Sequence, residues 1–156
     1  NTMKITPVAS SNDLKAGQAV DRIGVKMGLL FPCGKELEKL ALKSEKIYKN
    51  RIKLYDGDCS LSGLENKCLK MLENGESKED TAKFLLTYIA DTLSEMVKNI
   101  FSEYGELPLV FAGGVMSNSI IREIITSRFS AFFAEPEFSC DNAAGIAVLT
   151  KLNYEK

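Results

Sequence analysis

The sequence predicts an α/β fold, with a small parallel sheet near the C-terminus preceded by a mainly helical segment. Three observations carry this. Residues 107–152 alternate as strand, helix, strand, helix, the order that closes a parallel pair through a crossover. Residues 12–106 show helical periodicity with recognisable caps. An apolar run ending at Ala112 stops at Gly113-Gly114, and a polar cluster then opens the next helix. Such a corner, at the carboxyl end of a strand, is where open α/β sheets hold ligands.

Taken in order, Lys4 to Ala9 has strand character and starts as a strand already under way, so the N-terminus reads as a cut. Ser10, Ser11, Asn12 and Asp13 offer N-cap chemistry for a first helix running to about Leu29. Its apolar stripe is Ala16, Val20, Ile23 and Met27. The adjacent stripe is Gly17, Asp21, Gly24 and Gly28. Glycines in a helix cost about 1 kcal/mol each against alanine, so this bare face predicts a close approach. Two readings are open: another backbone, or a ligand held by Asp21.

Pro32 and Gly34 mark a turn before a short helix, Glu36 to Ser44. Tyr48 to Leu61 contains "YDGD", a hairpin or loop signal. "SLSGLENKCLKMLE" turns helical after Gly63. Ser77 and Asp80 form a capping box for the longest helix, which runs to about Tyr104 and stops at Gly105. Phe84, Leu85, Tyr88, Ile89, Met96, Val97, Ile100 and Phe101 are its expected buried face, and its charges from Lys78 to Lys83 an exposed one.

In the last third, Leu107 to Ala112 predicts a strand buried on both sides. Ser117 to Arg128 follows as a helix, Ala131 to Ala134 as the second strand, and Cys140 to Leu152 as a closing helix. The small residues Ala143, Ala144, Gly145 and Ala147 let that helix sit close to the sheet. Asn118 either caps its helix or hydrogen-bonds a sugar or base. Asp141 either favours the start of the closing helix or serves as a hard-cation ligand.

Composition narrows the function. The 156 residues carry 20 basic and 21 acidic side chains, a net charge of −1, so no broad basic surface is expected. No apolar stretch approaches the ~20 residues of a membrane span. Cys33, Cys59, Cys68 and Cys140 fit no zinc spacing and predict reduced thiols in a cytoplasmic protein. Histidine is absent. Acid–base or zinc chemistry built on His is therefore excluded for this chain alone. Ser62 has no His to activate it and suits a turn before Gly63; Cys140 beside Asp141 is a weaker candidate thiolate.

"AGQAVDRIGVKMGLLFPCGKELEKLA", "SLSGL", "LVFAGGVMSNSIIRE" and "PEFSCDNAAGIAV" occur in this order. Together they resemble the second half of the glycoprotease family (TsaD and its relatives). The likeness covers about Asp13 to Leu152. Family members transfer a threonylcarbamoyl group to an adenosine of tRNA; an older label was O-sialoglycoprotein endopeptidase, a metallopeptidase. The resemblance implies one lobe of the two-lobed actin/Hsp70/sugar-kinase fold, built on a ribonuclease-H-like sheet with an inserted helical segment. Residues 1–156 would form a single C-terminal lobe whose N-terminal lobe is absent. Within it, 12–106 would be the helical insertion and 107–156 the βαβα nucleotide-binding core.

The same resemblance implies the site. The aspartate of the family's "GEAFDK" falls on Asp21, the second glycine of "PGGP" on Gly34, and the acidic residue four further on Glu38. The "AGGVxxN" asparagine is Asn118, beside Gly113 and Gly114. These would contact ATP or an acyl-adenylate. The aspartate of "CTDN" is Asp141, which would bind a divalent metal (Fe, Zn or Mg) together with two histidines from the missing lobe. Departures surround these positions: Gln18 and Val20 replace Glu and Phe, and "PGGP" has become Pro32-Cys33-Gly34-Lys35. "CTDN" has become Ser139-Cys140-Asp141-Asn142. The drift suits a divergent paralogue.

Three functions follow as expectations: the incomplete lobe of a metal-dependent threonylcarbamoyl transferase, inactive alone; a non-catalytic nucleotide- or partner-binding paralogue; and a metallopeptidase. Expected partners are the missing lobe, a second copy or a homologue, with tRNA only for the intact protein and no membrane. An exposed apolar cleft face is expected on an isolated lobe.

Overall fold

The computed structural model describes residues 5–139 and 143–154. Seven helices and two strands are formed among them, in the order α1 (Ala16–Lys26), α2 (Gly34–Ala41), α3 (Ser62–Glu73), α4 (Lys78–Tyr104), β1 (Leu109–Phe111), α5 (Ser119–Thr126), β2 (Ala131–Phe133), α6 (Pro136–Ser139) and α7 (Ala143–Tyr154). β1 and β2 are parallel, with Leu109 opposite Ala131 and Phe111 opposite Phe133. The βαβ unit read from the sequence is present, and the chain is a mixed helix and strand fold around a small parallel sheet.

α4 is the axis of the molecule. Ser77 Oγ accepts the Asp80 N–H at its start, at 3.1 Å. Gly105 ends it at φ +79°, a conformation that a side chain resists. Leu85, Ile89 and Val97 are buried as expected, but so are Thr81, Ala82, Leu86, Thr87, Ala90, Asp91, Thr92 and Ser94. The helix is enclosed on several sides because α2, α3 and α5 all pack on it. Phe84, Tyr88, Met96, Ile100 and Phe101 are only half-buried. Asp80 is not simply solvated either: its Oδ1 accepts the Ser44 hydroxyl at 2.6 Å, and Lys46 lies 3.0 Å from its Oδ2.

Several boundaries differ from those the sequence suggested. No strand forms over residues 5–9; Ile5 is 82% exposed. The reason is the lack of a paired partner there, since Ser11 alone bridges to Cys59. Asp13 does not start α1. Its carboxylate instead accepts the N–H groups of Leu61 (2.8 Å) and Ser62 (3.2 Å) and the Ser60 hydroxyl (2.6 Å), capping α3 from 48 residues away. α1 begins at Lys15, whose N–H donates to Gln18 Oε1 at 3.1 Å. It ends at Lys26, short of Leu29, because Gly28 adopts φ +84°. The helix expected from Ser117 begins at Ser119, after a 3-10 turn, Gly114–Ser117.

The sheet is not buried on both sides. Val110 and Phe132 point out at 72% and 69% exposure, while Phe111 and Phe133 stack at 5.1 Å on the core side. α7 does not lie close on the sheet as its small residues suggested. Ile146, Val148, Leu149 and Leu152 are exposed, because two three-residue strands present little area to cover. Apolar side chains are thus exposed on the β1/β2 face and on α7.

Cys33, Cys59 and Cys68 are buried free thiols. Burial pushes Cys68 up to about 12. "YDGD" forms a two-residue turn with Asp56 at φ +52° and Gly57 at φ +87°, the geometry that suits Asp-Gly.

A buried ionic network was not visible in the sequence. Asp91, 6% exposed, accepts Arg128 Nη2 at 2.7 Å and the Asn50 Nδ2 at 2.9 Å and N–H at 3.2 Å. Arg128 Nη1 also donates to Ser94 Oγ at 2.9 Å. Removing Asp91 leaves three donor hydrogens without this acceptor. Asp91→Ala is expected to cost about 2–3 kcal/mol in urea unfolding. Arg128→Met should cost less, because Arg128 is partly exposed and its loss still leaves Asp91 the Asn50 donors. Equal costs would mean the pair acts as a simple surface bridge.

Asp13 makes stability sensitive to acid. Hydrogen bonds from the Ser60 and Ser62 hydroxyls, then from backbone N–H groups, hold its carboxyl well below the ordinary value of 3.8. A folded-state value below the unfolded one contributes stability above the unfolded value and loses it as pH falls. The Tm advantage of the wild type over Asp13→Ala should therefore be full near neutral pH and shrink once pH drops below the ordinary carboxylate range. An advantage independent of pH would place Asp13 outside the cap.

Candidate functional site

The sequence-selected residues gather along one chain of hydrogen bonds that runs through α2. Asp21, on α1, uses Oδ1 to accept the Cys33 N–H at 2.8 Å, immediately before Gly34 opens α2. One turn into α2, Glu38 Oε1 accepts the Ser119 N–H at 2.6 Å and also the Ser119 hydroxyl. Ser119 is the first residue of α5, and Asn118 before it caps that helix by accepting the Ile121 N–H at Oδ1, 3.2 Å. Carboxylates therefore sit at the starts of two helices, where unpaired N–H groups and the helix dipole favour them. Asp21, Gly34, Glu38 and Asn118 are one connected set.

The glycine corner joins this set through Val115. An ideal Cβ at Gly17 would lie 3.7 Å from the Val115 side chain, so α1 rests against the corner. Gly113 adopts φ +108° and Gly114 opens the 3-10 turn. An open hollow of about 390 Å³ lies at this end of β1, lined by Ala112 to Met116 with Val110, Phe111 and Leu93. The first amides of a helical turn have no partner within it, and Gly114 and Val115, which open this turn, are among the residues that line the hollow. Asp21 borders a different open hollow, of about 460 Å³, with Arg22, Val25, Lys26, Phe31 and Glu65.

The glycine stripe of α1 is resolved in favour of packing at its centre. A Cβ at Gly24 would lie 2.3 Å from Cys33 Cβ, and Cys33 is fully buried. Gly28 serves the positive φ that ends α1. The close approach predicted from the sequence is thus the α1–α2 connection, and Asp21 faces that same connection. Asn118 is 8% exposed and acts as the cap; its Nδ2 donor takes no part in that bond.

Sequence reasoning missed Ser119. A serine at the first helical position carries no signal of its own, and its carboxylate partner lies 81 residues away. Ser117 was also passed over; its hydroxyl is buried beside the corner without a hydrogen-bond partner among the described residues. Ser62 donates its backbone N–H to Asp13 at the start of α3.

Asp141 and Cys140 lie outside the described residues. Among the described residues no group of three or more Cys, Asp or Glu is placed to hold a metal ion, and the sequence has no His. These residues do not by themselves fit a metal centre. Among them, too, no helix is long and apolar enough to cross a membrane.

Comparison with known proteins gives the family. Residues 2–148 match the family model of TsaD, described as tRNA N6-adenosine threonylcarbamoyltransferase. Relatives of that name include proteins from Streptococcus mutans (31% identical over 161 residues, 96% of this chain and 48% of the relative) and Mycoplasma capricolum (32% over 165 residues, 96% and 50%). A Streptococcus pneumoniae relative is 30% identical over 161 residues, again covering 96% of this chain and 48% of its own length. The chain spans about half the length of these curated relatives. With its motifs in order and its whole length but the last few residues matched, the chain belongs to the TsaD family.

Proposed function

We propose that this chain forms one lobe of an actin-like clamp that binds the adenylate part of ATP or an acyl-adenylate at the glycine corner. The observation that carries this is the hollow at the carboxyl end of β1, lined by Gly113 and by the Gly114 turn. Free amides at a glycine turn are suited to phosphate oxygens. Asn118 Nδ2 would donate to the sugar or base. Asp21, Gly34 and Glu38 would border the ligand, with both carboxylates also anchored to helix starts. Residues 107–156 form the nucleotide core on this reading, and 12–106 the helical insertion that braces it.

In the complete protein the reaction would be transfer of a threonylcarbamoyl group to an adenosine of tRNA, as the names of the relatives state for them. This chain's part is to bind and orient, which is worth a large share of any group transfer. Asp141 would supply one oxygen donor to a divalent cation, with nitrogen donors coming from outside this chain, since it contains no His. On this reading the chain is inactive alone.

A second reading, a non-catalytic nucleotide-binding or partner-binding paralogue, is favoured by one observation: Asp21 and Glu38 are both occupied by backbone N–H groups. A peptidase reading has no described group that positions a water against a peptide.

Calorimetry of the 156-residue chain with ATP tests the proposal. Asn118→Asp keeps the helix cap while it replaces the amide donor by a negatively charged acceptor opposite the sugar or base of an anionic ligand. It should weaken ATP by at least about tenfold, near 1.4 kcal/mol, with an unchanged Tm. No heat of binding to the wild type, or equal affinity in the variant, overturns the glycine-corner site.

A further inference from the structure

The segment between α2 and the Asp56-Gly57 turn carries the chain's densest positive charge. Residues 43–55 hold Lys43, Lys46, Lys49, Arg51 and Lys53 against a single carboxylate, Glu45, in a protein of net charge −1. The segment has no regular secondary structure, yet its exposure alternates residue by residue. Ile47, Lys49, Arg51, Lys53 and Tyr55 are exposed, while Tyr48, Asn50, Ile52 and Leu54 between them are partly buried. A period of two is the mark of an extended chain with one face inward.

Three anchors hold this strap along α4. Ser44 donates to Asp80, Asn50 to Asp91, and Gly57 lies against Asn99, with 3.1 Å from its ideal Cβ to the amide nitrogen. Eleven residues separate Asp80 from Asp91, about 16 Å of helix axis. The six steps from Ser44 to Asn50 cover that distance at about 2.7 Å each, much nearer extended backbone than the rise of a helix. Tyr48 adds an edge contact to Phe84 at 5.3 Å. The strap is thus preorganised, and the Asp91–Arg128 network fixes its midpoint.

The cations on the outward face are uncommitted. Lys46 is paired with Glu76 and Asp80. Lys49, Arg51 and Lys53 form no ion pair among the described residues; Lys53 lies over the Tyr55 ring at 5.1 Å. Spaced two residues apart, they stand about 5–7 Å from one another along the strap. That is on the order of the phosphate repeat of a nucleic-acid strand, 3.4 Å of rise per nucleotide plus its lateral offset. Asp91 and Leu93 point to opposite sides of α4. The strap is therefore about one helix width, roughly 10 Å, from the hollow that Leu93 lines.

We propose that the outward row Lys49, Arg51 and Lys53 docks the phosphate backbone of RNA. This deepens the reading that the complete protein acts on an RNA adenosine, on which it rests, by naming the surface that holds the polymer. The row supplies charge and register, with Tyr55 at its end as a face for an unpaired base, and it takes no part in the chemistry.

The test is fluorescence anisotropy of a labelled RNA hairpin with the 156-residue chain, from about 50 to about 200 mM KCl. Neutralising three phosphate contacts contributes about 2 to the slope of log K against log salt. K49Q/R51Q/K53Q should lose that slope, so that the wild type falls roughly twentyfold more than the variant across this range. K49R/K53R should keep the slope, and K35Q/K70Q/K98Q, with the same charge removed elsewhere, should lose less than half of it. Equal slopes for wild type and strap variant, an equal loss in the control, or no RNA binding by the wild type overturns the proposal. So does equally tight binding to vesicles of phosphatidylcholine and phosphatidylserine, which would make the row a general polyanion surface. ATP calorimetry on the same strap variant should match the wild type. Loss of ATP binding with strap-dependent RNA binding intact sinks the nucleotide reading alone; the reverse sinks the strap alone.

Discussion

The structure depends on how its helices begin. The first N–H groups of a helix have no partner inside it, and a helix start buried without partners is costly. Here three of the starts are satisfied by carboxylates brought from other elements: Asp13 at α3, Asp21 at the entry to α2, and Glu38 at α5. Each bond fixes the position of one helix relative to another. Together they run α1 to α2 to α5, and so to the glycine corner. The corner is placed by these long-range caps as much as by the two short strands behind it.

That is also why the sequence revealed some elements well and others poorly. α4 could be read almost to the residue, because Ser77 and Gly105 are local signals that act on the helix they adjoin. The βαβ order and the Asp-Gly turn were legible for the same reason. Asp13 was not, since a cap-forming residue beside a helix looks local even when it serves another helix 48 residues on. The Asp91–Arg128–Asn50 network joins three segments, and nothing in the spacing of its members announces it. Gly24 was legible as a close approach but not as which one; only the position of Cys33 decides. Strand Lys4–Ala9 shows the limit of pattern alone, since alternation describes what a segment could do beside a partner.

The site residues illustrate a tension between structure and recognition. Asp21 and Glu38 fall on positions that the resemblance assigns to ligand, yet each already accepts a backbone N–H. A carboxylate has two oxygens and about four acceptor sites. One bond to a helix start therefore leaves room for a second donor, and it also fixes the rotamer that would present the other oxygen. A group held this way is preorganised, and the loss of side-chain entropy is met in folding, not in binding. Structural anchoring and ligand contact are compatible in the same side chain, provided the ligand offers a donor and not another anion. For Glu38 this places a hydroxyl or amine, not a phosphate, opposite its free oxygen.

Charge is distributed with the same division of labour. Asp13, Asp21, Glu38 and Asp91 are engaged at helix starts and with Arg128, while the strap turns unpaired cations outward. A net charge of −1 conceals this, because the sum says nothing of where along the chain the charges lie. At about 0.15 M salt, charges more than about 8 Å apart scarcely feel each other. A polymer approaching the strap senses chiefly Lys49, Arg51 and Lys53, with the exposed Glu45 and Asp56 towards its two ends. An overall charge near zero therefore excludes a uniformly basic protein but not a basic edge, because the clustering of cations along one segment is what creates that edge.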